Sequence, residues 1–316
     1  MRVVAALGGN ALLRRGQPLS AENQRENARV AAEALLPIVA AGHELVIAHG
    51  NGPQVGLLAL QNDAYKAGEA YPLDVLGAES EGMIGYLLEQ ELANVLPLNR
   101  RVVTLLTQVE VDRHDAAFAT PSKPIGPVYS RDEADALSVR HGWRIAADGA
   151  SYRRVVPSPA PRRILELDAV GLLLRHRMIP ICAGGGGIPV VRREDDRYGG
   201  VEAVIDKDAT SALLARQLKA DALLMLTDID AVQTDFGTPQ ARRLRRVGAD
   251  ALDDIAFADG SMAPKIAAAQ TFVRETGGFA AIGRLNDADL LLVGRAGTRI
   301  EASPGGERSY YWHKYN

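Results

Sequence analysis

A chain of 316 residues with 47% hydrophobic content can bury a large core, as one α/β unit or as two lobes, and is too apolar to be disordered throughout. Its formal charge of −3 and pI near 6.1 leave no overall basic footprint, which argues against nucleic acid as the main partner. One cysteine, Cys182, cannot form an internal disulfide, and neither a leader-like N-terminus nor an apolar run of about 18 residues is present, so a soluble, cytoplasmic protein without membrane contact is expected.

Val3 to Leu7 is a short apolar run that stops at Gly8-Gly9-Asn10, and it reads as a buried strand whose end opens onto a glycine turn. Open α/β sheets keep their ligands at such strand ends. Adjacent glycines let backbone amides approach an anion, or simply make a tight turn into a helix. Ser20 caps a helix expected over Ala21 to Ala41, with Ala28, Ala32, Leu35 and Val39 on one face, Pro37 kinking the last turn and Gly42 beyond it. Leu45 to Ala48 reads as a second buried strand, ending at His49-Gly50-Asn51-Gly52-Pro53 before another helix. The strand, glycine, asparagine pattern has recurred.

From Gly77 to Leu96 the apolar positions Met83, Ile84, Leu87, Leu88 and Leu92 follow helical spacing, which leaves Glu79, Glu81, Glu89 and Glu91 as a solvated face. A strand is expected at Val102 to Leu106. Periodicity then fails between Asp112 and Pro161, where six prolines and many charges accumulate. So long a stretch is either a disordered insert or a small functional subdomain. Tyr129, Trp143, Ile145 and Tyr152 to Val156 would give a subdomain its core.

Beyond it, a helix at Leu165 to Arg175 leads to a strand at Met178 to Ala183, which stops at Gly184 to Gly187. A run of four glycines is a stronger anion-loop signal than a pair. Asp206-Lys207-Asp208 opens a helix through Ala209, Leu213, Leu214 and Leu218. Capping alone explains the two acids, but a cation at a helix N-terminus is unfavourable unless an anion balances it. A phosphate would do so. The strand Leu223 to Thr227 ends in Asp228-Ile-Asp230, either a turn or a magnesium-binding pair. Ser261 to Lys265 precedes another helix, placing Pro264 and Lys265 in its first turn. A strand at Phe279 to Ile282, a helix at Asp287 to Leu292, a strand at Thr298 to Glu301 and an aromatic tail with Tyr310, Tyr311, Trp312 and Tyr315 complete the chain.

Of the 36 basic residues only six are lysines: Lys66, Lys123, Lys207, Lys219, Lys265 and Lys314. Lysine is a compact charge with rotatable donors, which suits a phosphoryl group moving in a confined site better than the planar fork of arginine. Lys66, Lys219 and Lys314 read as surface positions. Lys123, Lys207 and Lys265 lie on the motifs.

Eight segments in order carry a resemblance. Leu7-Gly-Gly-Asn-Ala11, Ala48-His-Gly-Asn-Gly-Pro-Gln-Val-Gly56, Glu81-Gly-Met-Ile-Gly-Tyr86, Pro121-Ser-Lys-Pro-Ile-Gly-Pro127, Tyr152-Arg-Arg-Val-Val-Pro-Ser-Pro159, Ala183-Gly-Gly-Gly-Gly-Ile-Pro189, Gly200-Val-Glu-Ala-Val-Ile-Asp-Lys-Asp208 and Gly260-Ser-Met-Ala-Pro-Lys265 together resemble the carbamate kinases, from about residue 3 to 300. The resemblance implies an α/β, three-layer αβα sandwich on a mainly parallel sheet, the amino-acid kinase fold. It divides the chain into a substrate lobe of about 1–190 holding a protruding subdomain of about 112–161, a nucleotide lobe of about 191–302, and a tail of 303–316.

The implied reaction interconverts ADP plus carbamoyl phosphate with ATP plus carbamate. Carried over residue by residue, Lys207 and Lys265 neutralise the phosphates in transit, Asp208 orients them, and Lys123 is delivered by the subdomain. Gly8, Gly9, Asn10, Gly50, Asn51, Gly52, Gly185 and Gly186 hold the small substrate and the transferring group, while Thr227, Asp228, Asp230, Met262 and Pro264 border the nucleotide. Magnesium would be carried by the nucleotide rather than by a protein metal site, and a homodimer working in arginine metabolism is expected. Related kinases of the fold often carry a lysine before the first glycines; here Ala6-Leu7 stand there, and Lys123 would supply the charge.

Three departures stand out: Glu79 and Glu81 where the family more often has Met and Gln, Ala150-Ser151 in place of an Arg-Gly pair, and Gly283-Arg284 in place of a Thr-Ser-like pair. Glu81 would weaken anion binding, alter the substrate or face a dimer neighbour. The alternatives are a kinase of the same fold acting on another small acid, such as an acylglutamate or uridylate, and a phosphate- or nucleotide-binding regulatory protein without turnover. A dinucleotide-binding oxidoreductase is disfavoured, because no Gly-x-Gly-x-x-Gly follows the first strand.

Overall fold

The computed structural model describes residues 1–13, 16–66, 70–257, 262–302 and 308–311, without the side chains of residues 10 and 11. In chain order the elements begin β1 (Arg2–Leu7), a single turn α1 (Gly9–Leu12), α2 (Ala21–Ala40), β2 (Glu44–His49), α3 (Gly52–Tyr65), α4 (Leu73–Val95), β3 (Val102–Thr104) and β4 (Gln108–Val111). Next come β5 (Lys123–Tyr129), α5 (Arg131–His141), β6 (Ile145–Asp148), β7 (Ser151–Val156), β8 (Pro161–Ile164), α6 (Leu167–Arg175), β9 (Ile179–Ile181), β10 (Ile188–Arg192) and β11 (Tyr198–Gly200). The last stretch holds α7 (Lys207–Gln217), β12 (Ala222–Thr227), β13 (Gln233–Thr234), β14 (Arg242–Gly248), α8 (Met262–Thr276), β15 (Phe279–Arg284), α9 (Ala288–Leu292), β16 (Thr298–Glu301) and β17 (Arg308–Tyr310).

The main sheet runs β13-β14-β16-β15-β12-β1-β2-β9-β3, with β17 added on β14. From β15 through β12, β1, β2 and β9 to β3 every pairing is parallel, while β16 runs antiparallel to β15. Both faces are covered, which explains the continuous apolar runs of β1, β2 and β12. Val3, Ala5, Leu7, Leu45, Ile47, Leu224 and Leu226 pack in the core shared with α2, α4 and α9. Val4, Val46, Leu223, Met225, Ala280 and Ile282 belong to the opposite core, shared with α6, α7 and α8. The result is a three-layer αβα sandwich on a mainly parallel sheet.

Local signals placed several elements correctly. The Ser20 side chain accepts from the Asn23 amide at 3.2 Å and opens α2, which runs through Pro37 to Ala40, as its expected end at Ala41 required. The helix expected from Gly77 instead starts at Leu73, because a distant residue caps it: Glu202 Oε2 accepts from the Leu73 amide at 2.8 Å. Nor are the acids of α4 a solvated face. Glu81 and Glu91 are buried. Glu89 and Glu81 accept from the amides of Thr104 (2.9 Å) and Thr107 (2.8 Å), where the chain leaves β3 and its amides need acceptors. Glu81 therefore does not face a neighbour.

Residues 123–156 form a separate three-stranded sheet, β5-β7-β6, with α5 capped by a Ser130–Glu133 box. Ile125, Ala134, Val155 and Val156 are its buried residues, whereas Trp143 is half-buried, stacked on His141 with centroids 4.8 Å apart and covered by Arg154. A second small sheet, β11-β10-β4-β8, was not foreseen from the sequence. The subdomain's sheet meets the sandwich where α3 crosses β5, and there two backbones touch. A Cβ on Gly56 would lie 2.2 Å from Gly126 Cα. At the far end Tyr310 lies in β17, and the Tyr311 hydroxyl donates to the Gly297 carbonyl at 2.6 Å. Trp312 and Tyr315 lie outside the described residues.

Candidate active site

Because β1, β2, β9, β12 and β15 are parallel, their carboxyl ends open on one edge of the sheet. The glycine turns collect there. The Gly8 amide donates to the Leu226 carbonyl of β12 at 2.8 Å, and the Gly50 amide to the Leu7 carbonyl of β1 at 3.0 Å. A Cβ on Gly50 would come within 3.1 Å of the Gly9 nitrogen, so the first two turns lie against each other. The third turn follows β9. Ala183, Gly185, Gly186 and Gly187 all have positive φ, and the amides of Gly186 and Gly187 close on the carbonyls of Ala183 and Gly184. Those of Gly184 and Gly185 remain outside that ladder. Over Ala183, Gly184 and Gly185 the handedness alternates, the pattern in which successive amides form an anion-binding concavity.

Side chains brace this turn from below. Asn51 packs under Gly185, and its amide donates to the Ser80 hydroxyl at 2.7 Å. His49 and Glu81 both pack under Gly184. The Thr210 hydroxyl of α7 donates to the Gly186 carbonyl at 2.9 Å, tying the turn to the next helix.

That helix brings the charges. Asp206 is its N-cap, accepting from the amides of Asp208 (2.9 Å) and Ala209 (3.1 Å). The other Asp206 oxygen accepts from Lys123 Nζ, so the first residue of β5 is tied to the start of α7. Asp208 is 4% exposed and holds two cations, Lys207 Nζ at 2.6 Å and Lys265 Nζ at 3.0 Å. Burial opposes its charge, but the two ammonium groups prevail and hold the carboxyl well below the usual carboxylate range. His49 is driven the other way. Burial, reinforced by Lys207 and opposed by the Gly50 carbonyl, lowers it to about 4, so the ring is neutral at pH 7.

Most of the residues expected from the sequence thus share one edge. Thr227 ends β12 beside Gly8, and its hydroxyl donates to Asp228 Oδ1 at 3.1 Å. Asp230 is drawn off by an ion pair with Arg243. Met262 begins α8 half-buried against the core; Pro264 lines a cleft of about 990 Å³ together with Lys123, Asp206 and Ala209. The glycine turns lie outside that lining. Gly260 and Ser261, and the side chain of Asn10, lie outside the described residues. Among the described residues no group of three or more His, Cys, Asp or Glu is placed to hold a metal ion, and no helix is long and apolar enough to cross a membrane.

Sequence reasoning missed two participants and placed a third on the wrong face of its helix. Asp206 was legible only as a helix cap, and its partner lies 83 positions away. Glu81 was assigned to a solvated face by its helical spacing, although the resemblance had also set it near the substrate; it is buried. Thr107 had no signal at all, yet it is fully buried and its hydroxyl accepts from the Ala183 amide at 2.9 Å. The Gly283 departure has a packing reason: a Cβ there would lie 2.7 Å from Leu291 Cδ2 and 3.1 Å from Gly297 Cα.

The amino acid kinase family profile matches residues 1–282. The chain belongs to the amino acid kinase family. Within it, the carbamate kinase of Haemophilus influenzae is 54% identical over 311 residues, covering 98% of this chain and all of that protein. The carbamate kinase of Giardia lamblia bound to citric acid superposes with a TM-score of 0.89 at 39% identity, covering 96% of this chain and 98% of the other. The same Giardia enzyme bound to AMP-PNP gives 0.87 at 40% identity and the same coverage. This amino acid kinase therefore shares both fold and length with carbamate kinases.

Proposed function

We propose that the chain is a carbamate kinase, transferring a phosphoryl group reversibly between ATP and carbamate. In one direction a terminal oxygen of ADP attacks the phosphorus of carbamoyl phosphate, the bond from phosphorus to the carbamoyl oxygen breaks, and ATP and carbamate leave. Such a transfer needs positioning and cationic stabilisation more than covalent help from the protein. The observation that carries the reading is Asp208, buried and bridging Lys207 and Lys265 at the edge where the glycine turns converge.

In this reading Lys207 and Lys265 neutralise the equatorial oxygens, and Asp208 fixes where the two ammonium groups stand. Gly8, Gly9, Asn10, Gly50, Asn51, Gly52, Gly185 and Gly186 cradle the small substrate and the transferring group with neutral donors. Thr227, Asp228, Met262 and Pro264 border the nucleotide, and Asp230 acts from its pair with Arg243. Lys123 brings the third cation from the subdomain, and its pair with Asp206 supports that role, since Asp206 adjoins Lys207. The substrate lobe is about 1–190, with its subdomain at about 112–161, and the nucleotide lobe is about 191–302. The described carboxylates at this edge are engaged by lysines, an arginine or the Thr227 hydroxyl, so Mg²⁺ is assigned to the nucleotide phosphates and no protein ligand is named for it. A cytoplasmic homodimer serving arginine metabolism fits this activity; exposed Val75 and Tyr86 on α4 offer apolar surface for a second copy.

The test is a coupled assay for ATP formed from ADP and carbamoyl phosphate with magnesium. ATP at a rate well above the uncatalysed background is expected. Binding of ADP without any such turnover refutes the enzyme and favours a regulatory binding protein.

A further inference from the structure

Glu81 is 1% exposed, in the middle of α4, and among the described residues no cation pairs with it. Its Oε2 accepts from the Thr107 amide at 2.8 Å, while its Oε1 is buried without a hydrogen-bond partner among the described residues. The Glu81 stem packs under Gly184: a Cβ on that glycine would lie 2.8 Å from Glu81 Cγ. Thr107 is fully buried, and it continues the chain of contacts. Its hydroxyl donates to the Leu105 carbonyl and accepts from the Ala183 amide, both at 2.9 Å, and its carbonyl accepts from the Ile188 amide at 2.8 Å. Ala183 and Ile188 are the two ends of the glycine turn. Ala183 is held at φ +53, a conformation an alanine adopts only where its surroundings impose it.

We propose that Glu81 is a positioning residue for phosphoryl transfer: through Thr107 it fixes both ends of the Gly184–Gly187 turn, and by packing beneath Gly184 it sets the height at which the turn meets the substrate's phosphate. The proposal rests on the carbamate kinase reading and names the side chain on which that turn's affinity depends. An ionised carboxylate under an anion-binding turn would repel the substrate. Burial works against that charge, pushing the Glu81 carboxyl well above the usual range against the pull of the Thr107 amide, with Glu166 adding to the rise. The titratable groups around it are His49 at the end of β2, Cys182 after β9 and Glu166 before α6, with Lys207 of α7 beyond His49. Burial likewise holds His49 and Cys182 neutral at pH 7, so neither adds a charge beneath the turn.

The test compares wild type, Glu81→Gln and Glu81→Leu by ATP formation from ADP and carbamoyl phosphate across pH 6 to 9.5, and wild-type turnover checks the underlying reading separately. Glutamine keeps an acceptor for Thr107 and a neutral second atom; leucine keeps only bulk. Glu81→Leu is expected to raise KM for carbamoyl phosphate about tenfold with KM for ADP within twofold of wild type, and Glu81→Gln to restore it to within threefold. Wild type should show KM for carbamoyl phosphate rising on an alkaline limb that Glu81→Gln lacks. The proposal is overturned if Glu81→Leu matches wild type, if Glu81→Gln is no better than Glu81→Leu, or if the limb persists in Glu81→Gln. Should the leucine variant not fold, the wild-type and glutamine pH profiles decide alone.

Discussion

Replacing Asp208 by asparagine removes one charge and leaves two ammonium groups facing each other at the head of α7. Asp208 is 4% exposed and the side chains of Lys207 and Lys265 only 12% and 15%, so water can do little to separate them. Deleting one partner of a buried ionic cluster costs about 3–5 kcal/mol; asparagine retains a hydrogen-bond acceptor, which puts the loss near the lower end, about 3 kcal/mol. At about 2.1 cal/mol/K per residue, 316 residues convert this to a fall in melting temperature of about 5 °C. Nucleotide should reverse part of it. ADP phosphates supply the missing negative charge, so the rise in melting temperature on adding ADP should be larger in Asp208→Asn than in wild type. The pH dependence gives a second check. A carboxyl held below its ordinary value stabilises the fold at all pH above the unfolded value of about 3.9 and loses that contribution as pH falls toward the folded value. The gap between the two proteins should therefore hold at pH 7 and narrow below about pH 4. Thermal scans with and without ADP decide the matter: equal melting temperatures at pH 7, or an ADP shift no larger in the variant, refute the view that Asp208 is there to hold the two lysines.

Three further outcomes follow from the same edge. Lys123→Arg should cut turnover more than tenfold in the coupled assay while KM for ADP stays within about threefold, if the subdomain's lysine has the proposed role of meeting the transferring group and not the nucleotide; near-normal turnover contradicts that role. Gly186→Ala places a Cβ 2.3 Å from the Ile205 carbonyl at a residue with φ +100, and overpacking of a backbone that cannot yield should cost about 1–3 kcal/mol in denaturant midpoints and raise KM for carbamoyl phosphate. His49, lowered to about 4 by burial, makes the unfolded chain bind the extra proton first, so stability should decline as pH falls from 6.5 to 4. That decline should be shallower in His49→Gln when unfolding midpoints are compared.

What the sequence announced were the places where apolar runs break on glycine. β1, β2, β9 and β12 are buried on both faces, so their residues are apolar without alternation and their ends are marked by the first residues that are not. The lysines were legible because the chain uses arginine nearly everywhere else. Other features depend on pairings that local patterns do not contain. The start of α4 is set by Glu202, more than a hundred residues away, and Lys123 finds Asp206 only after the subdomain has folded back. Glu81 was misplaced for a related reason: helical spacing reports which side of α4 is polar, but that side is closed by the exit from β3, whose amides need acceptors. The strands of the second small sheet are three to five residues long, too short for periodicity to distinguish them from loop.

The crossing of α3 and β5 has a mechanical consequence. Gly56 and Gly126 bring main chain against main chain, and Ile125 and Val156 pack beside that contact on Val55, Ala59, Leu73 and Leu76, so the joint combines a backbone stop with a buried apolar seam. The reach of Lys123, three residues before Gly126, is thus fixed from a packed seam, and a cation proposed to meet the transferring group is placed with the tolerance of an interior although the insert that carries it reads as loose in sequence.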